Sequence, residues 1–134
     1  MRIHKFEELN VWKLSLRITK SIYDRDQIRR AIVSVSSNIV EGFEKNNNNE
    51  FIRYLKIAKG SVGEVRNQLF IAKELSYITE SEFNNINKLL LDLANQIGAF
   101  IVYLTKTRKL SQLSKLSKLS KPVYPEIFRR AKLS

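Results

Sequence analysis

The chain has no cysteine, which excludes disulfides, thiolate metal sites and thiol nucleophiles and leads to the expectation of a reducing compartment. His4 is the only histidine, so a His-based catalytic triad, an H-E-x-x-H zinc site and a multi-histidine cluster are excluded too. Two prolines and four glycines in 134 residues leave few obligatory breaks. No run approaches the roughly eighteen uninterrupted apolar residues of a membrane span. The N-terminal stretch MRIHKFEELNVW becomes acidic and amphipathic before any long apolar run, unlike a secretory signal. One cytoplasmic domain without membrane association is the expectation. The acids Glu41, Glu44, Glu64 and Asp92 lack the Glu-x-x-His partners of a di-metal bundle, and no strand precedes a glycine-rich phosphate loop. The chain therefore reads as a non-enzyme with no catalytic residue, metal or cofactor.

What is abundant is positive charge, and its location matters more than its sum of +11. Residues 1–104 hold 15 Lys/Arg against 12 Asp/Glu, while residues 105–134 hold 9 against 1. From Lys109 to Lys121 the sequence repeats Leu-Ser-Lys or Leu-Ser-Gln, placing Leu110, Leu113, Leu116 and Leu119 at every third position. That period matches neither a strand nor an α-helical stripe, so residues 109–134 read as a low-complexity, flexible or weakly helical basic tail following a bundle at 1–108. Pro122 and Pro125 punctuate it around the apolar Val123, Tyr124, Ile127 and Phe128. Lys115, Lys118, Lys121, Arg129 and Arg130 make the tail a candidate nucleic-acid contact by counterion release; a solubilising extension is the alternative.

Apolar periodicity predicts four helices. Leu9, Trp12, Leu16 and Tyr23, beside Val11, Ile18 and Ile22, place a first helix at about Glu7 to Tyr23. Ile28, Ile32, Val35 and Ile39 mark a second, with Gly42 as its stop. Phe51, Leu55, Ala58, Val62, Val65, Leu69 and Ala72 step by alternating fours and threes, and Phe83, Ile86, Leu90, Leu93, Ile97, Phe100 and Leu104 do the same. Asn47 with Glu50 reads as a capping-box variant, and Thr79 with Glu82 as the S/T-x-x-E capping box, opening these two helices. Asn46–Asn49 is then a loop and cap, and Ser76-Tyr77-Ile78 a short turn. Short links make sequential helices antiparallel, so the fold class is all-α, an up-down-up-down four-helix bundle.

Ile52, Ile57, Phe70, Ile71, Leu75, Leu91 and Ile101 fall outside the seams, which points to burial against another subunit or to a wide core stripe. Gly60 and Gly63, with Ala58 and Ser61, form a small-residue patch within the third helix that lets another helix approach closely. Lys59, Arg66 and Lys73 recur every seven positions beside the seam, and Arg29 and Arg30 lie on the second helix. These five are candidate nucleic-acid contacts; the alternative is a solvated face whose cations are neutralised by glutamates, in the case of Arg66 by Glu64 or Glu74 locally or by Glu50 and Glu41 from elsewhere. Opposite the apolar stripe of the second helix, Ser34, Ser37 and Asn38 offer either a binding face or bonds to neighbouring helices.

Three blocks carry a family resemblance: FEELNVW at 6–12, QIRRAIVSVSSNIVEG at 27–42 and EFIRYLKIAKGSVGEVRNQL at 50–69. Together, over about residues 6–104, the chain resembles the 23S rRNA intervening sequence protein family, also called the four helix bundle protein family. The resemblance implies a bacterial four-helix bundle assembled as a homopentamer. A related branch of the same fold serves as the accessory protein of diversity-generating retroelements, which implies RNA or DNA and a reverse transcriptase as possible partners. By position, the basic candidates are Arg29, Arg30, Lys59 and Arg66. The chain departs from the family pattern in its Leu-Ser-Lys tail and in a shortened first hairpin, where Tyr23 is followed only by Asp24, Arg25 and Asp26 before the glutamine. If the other hairpin keeps its length, one end of the bundle loses cover, with exposed apolar surface or a weakened pentamer as the expected consequence.

Overall fold

The computed structural model describes residues 3–22 and 26–116, and the side chains in that range except at positions 20–22, 26, 27, 112 and 114–116. A 3-10 turn, Phe6–Glu8, precedes α1 (Asn10–Ile22), α2 (Asp26–Glu44), α3 (Asn48–Glu74) and α4 (Glu80–Leu116), with no strand among the described residues. α1 packs on α2, α2 on α3 and α3 on α4, and α1 closes the ring against α4. The antiparallel sense is visible in cross-helix pairs. Ser34 meets Ser61, Arg66 meets Asn87, and Asn49 meets Arg108.

All seven seam residues read from the α3 periodicity are buried, as are Ile28, Ile32, Val35 and Ile39 of α2. On α4, Leu90, Leu93, Ile97 and Leu104 are buried, and Phe83, Ile86 and Phe100 pack against the same core. Each buried Leu or Ile contributes about 1.5–3 kcal/mol relative to exposure, so this single core dominates the stabilisation. By length and composition α4 is apolar enough over Glu80–Ser111 to cross a membrane. Its seam nevertheless lies inside the bundle.

Several sequence expectations are corrected by packing. The first helix begins at Asn10, because Phe6–Glu8 form the 3-10 turn and Leu9 is extended (φ −73, ψ 125). Its buried stripe is Val11, Ser15 and Ile18, while Leu16 is exposed. Ser15 is tolerated there because its hydroxyl donates to the Trp12 carbonyl at 2.7 Å. Gly42 does not stop α2, which runs two residues further to Glu44. The chain turns instead at Asn46, in the left-handed region at φ 52. Gly42 is a packing residue: a Cβ there would lie 2.7 Å from the Tyr54 Cβ and 3.1 Å from the Phe51 Cδ1.

Ile52 is buried and Ile101 packs against the core, so neither belongs to an outward apolar face. Nor do Gly60 and Gly63 share a patch with Ala58 and Ser61. At about 100° per residue the pairs point to different sides, Ala58 and Ser61 inward and the glycines into open space. Both caps open their helices where the sequence places them, but only the second is a reciprocal capping box, because the Glu50 carboxylate is held by Arg53. Asn47 accepts from the Glu50 N–H at 3.1 Å, and Thr79 and Glu82 bond reciprocally, each at 3.0 Å. Asn48 and Asn49 already belong to the first turn of α3.

α4 continues past residue 108 to Leu116, so the first Leu-Ser-Lys steps are helical. The side chain of Lys115, and all of Tyr23, Lys118, Lys121, Arg129 and Arg130, lie outside the described residues.

Candidate nucleic-acid interface

The heptad spacing of Lys59, Arg66 and Lys73 sets them about 10 Å apart along one edge of α3. That edge faces α4, and α4 shapes each of them differently. The Lys59 ammonium lies across Gly98, where an added Cβ would come within 3.3 Å of Nζ. Arg66 donates from Nε to Oδ1 of Asn87 at 3.0 Å. A single bond at Nε fixes the guanidinium plane and leaves its two terminal nitrogens for a further acceptor. Lys73 sits over two rings, 4.7 Å from the Phe70 centroid and 4.6 Å from that of Phe83, and 3.7 Å from the Glu74 carboxylate. At the opposite end of the groove Arg108 donates to Oδ1 of Asn49 at 2.9 Å.

Charge compensation separates these residues. Among the described residues no carboxylate lies within 4.0 Å of Lys59 or Arg66, whereas Lys73 is paired. Glu64 and Glu74 therefore do not neutralise Arg66. The other ion pair, Arg53 with Glu50 at 2.9 Å, is an i,i+3 contact near the α3 N-terminus. The Arg53 hydrogen bond holds the Glu50 carboxyl below its ordinary range. Arg53 also stacks 4.5 Å from the Tyr54 ring, whose hydroxyl donates to Glu41 at 3.1 Å. That cluster is internally satisfied.

Arg29, half-buried, and Arg30, exposed, are on α2, on the other side of α3 from α4. The structure thus divides the five described candidates into two groups. The Ser/Asn face of α2 is largely internal: Asn38 donates to the Ser34 carbonyl at 2.7 Å, and the Ser34 and Ser61 hydroxyls meet at 3.3 Å. Only Ser37 of that set is exposed. Among the described residues no group of three or more His, Asp or Glu side chains could hold a metal ion.

Sequence reasoning missed Asn87, Gly98 and Asn49. Their roles follow from the α3–α4 register, and nothing in the local pattern of either helix marks them.

Residues 7–99 match the family described as 23S rRNA-intervening sequence protein. The chain belongs to that family. The matched span covers α1 to α3 and α4 as far as Ala99, and so includes Lys59, Arg66, Lys73, Asn87 and Gly98. The whole helical extension beyond it, with Arg108 and the Leu-Ser-Lys steps, lies outside the family match. No curated protein matches the chain.

Proposed function

We propose that this member of the 23S rRNA-intervening sequence protein family is a non-enzymatic nucleic-acid-binding protein whose contact surface is the outer α3–α4 groove. The observation that carries the reading is the state of Lys59 and Arg66. Both are exposed, both are laid across α4, and neither has a carboxylate partner among the described residues. Holding a cation in place without neutralising it lowers the ordering cost of taking up a phosphate. With no base-reading motif in the sequence, the contact is to backbone and shape, and RNA is the favoured ligand by the family's association with 23S rRNA. Lys115, Lys118, Lys121, Arg129 and Arg130 add sequence-independent attraction.

Self-association is the second part of the reading. Ile57 on α3 and Leu91 and Val102 on α4 remain exposed, at 42%, 41% and 52%, and lateral burial of these residues would repeat the groove around an axis. A protein partner such as a reverse transcriptase is the competing occupant of those flanks.

Filter binding of a structured RNA at low and high salt tests the function. Affinity should fall steeply with salt, and Lys59→Ala with Arg66→Ala should flatten that slope by about two ions. Salt-independent binding, or an unchanged slope in the double variant, contradicts the groove assignment.

A further inference from the structure

The bundle is stepped at both ends, and the two steps differ in charge. Ser34 opposite Ser61 puts Asp26, the first residue of α2, level with about Leu69 of α3. Beyond that level the α3–α4 hairpin projects without cover from α2. Its tip exposes Phe70 at 49%, Ile71 at 47%, Leu75 at 56% and Tyr77 at 68%. A hollow of about 550 Å³ at the turn is lined by Lys73, Tyr77 and three carboxylates, Glu74, Glu80 and Glu82, among others. At the opposite end, Arg108 bonded to Asn49 puts residue 108 level with the start of α3. The residues from Lys109 to Leu116 then overhang α3 by about 12 Å. After Asp92, α4 contains no acid; Lys106 and Lys109 are exposed, and Leu113 is 61% exposed.

We infer that the acidic, apolar hairpin tip of one copy receives the basic, leucine-bearing end of α4 from a second copy, a head-to-tail contact distinct from the lateral flanks. Charge complementarity selects the occupant. The tip carries three carboxylates against one ammonium that is already paired with Glu74, and the overhang carries Lys109 and Lys115 on a stretch of α4 that has no acid after Asp92. Capping accounts for Glu82, which bonds Thr79, but not for the exposure of Tyr77 beside it in the hollow or of Phe70, Ile71 and Leu75 at the end of α3. Each copy presents one tip and one overhang, so the contact is heterologous and builds rings or open chains.

Sedimentation velocity on the full chain, across protein concentration and at about 50 and 500 mM salt, reads the contact. The average mass should rise with concentration at low salt and fall at high salt. Glu74→Lys with Glu80→Lys, and separately Lys106→Glu with Lys109→Glu, should each abolish that rise while circular dichroism stays helical. An equimolar mixture of the two variants should recover it, because each reversed surface meets its complement in the other. A wild-type mass indifferent to concentration and salt overturns the inference, as do reversed variants that associate like wild type or a mixture that fails to recover. Capture of a different protein on the tip, without self-association, also overturns it. Lys59 and Arg66 are unchanged in every variant, so RNA binding by the groove is scored independently.

Discussion

Arg66 on α3 is tied to α4 by one hydrogen bond, Nε to Oδ1 of Asn87 at 3.0 Å, a bond that does not use the terminal nitrogens of the guanidinium. Asn87 is thereby a positioning residue for a cation, and Gly98 does the same for Lys59 by leaving room for its ammonium. Asn87→Ala should weaken RNA binding by about two- to five-fold through lost pre-organisation, with a stability change within about 0.5 kcal/mol, since the bond is exposed. Gly98→Ala should displace Lys59 and weaken binding similarly without changing the number of ions released. Titrations at several salt concentrations separate the two effects: the intercept moves and the slope does not.

Gly42→Ala should destabilise the protomer by about 1–3 kcal/mol. Its Cβ would meet the Tyr54 Cβ at 2.7 Å, an atom too near the α3 backbone to swing aside. Urea denaturation measures the loss, and an unchanged midpoint would mean that α2 and α3 are not packed this closely.

Ser76 ends α3 in the left-handed region at φ 62, with its N–H on the Lys73 carbonyl and the Tyr77 N–H on that of Ala72. This is the bonding of a Schellman stop, a position where glycine carries no Cβ penalty. Ser76→Gly should therefore stabilise the fold by about 0.5–1 kcal/mol, seen as a higher denaturation midpoint.

Gly60 and Gly63 face open space: a methyl group added at either would meet nothing within 4 Å on the protomer surface. Alanine at each should stabilise an isolated protomer by about 1 kcal/mol through helix propensity. Equilibrium unfolding at low concentration checks this. A loss of oligomer mass in the same variants would identify the glycines as the place where a neighbouring helix backbone sits.

Burial pushes the Tyr103 hydroxyl above its ordinary range. Because the folded value is then higher than the unfolded one, the stabilisation is complete below about pH 10 and is lost as pH rises through the folded value. Tyr103→Phe should remove this component from the alkaline limb of a stability–pH curve.

The four helices, their buried stripes and the caps of α3 and α4 are legible in the sequence because helical periodicity and cap chemistry are local. Val62 and Leu90 are buried as their spacing requires, and Thr79 finds Glu82 three residues away. Ile52 and Ile101 turn inward, the wide-stripe alternative rather than burial against another subunit, because a broad core takes in positions beside the seam. The same limit applies to Lys59, Arg66 and Lys73, whose common edge is a matter of spacing but whose partners are not.

By itself the sequence determined the helical faces, the helix starts and the motif blocks that mark the family, all properties of residues within a few turns of one another. Only the tertiary structure decided that Gly42 is a contact rather than a stop, that Arg66 bonds an amide rather than a glutamate, and that α2 begins short of the hairpin tip. Those outcomes depend on the register of one helix against another. Register is set by the summed packing of the whole core, and no single segment encodes it.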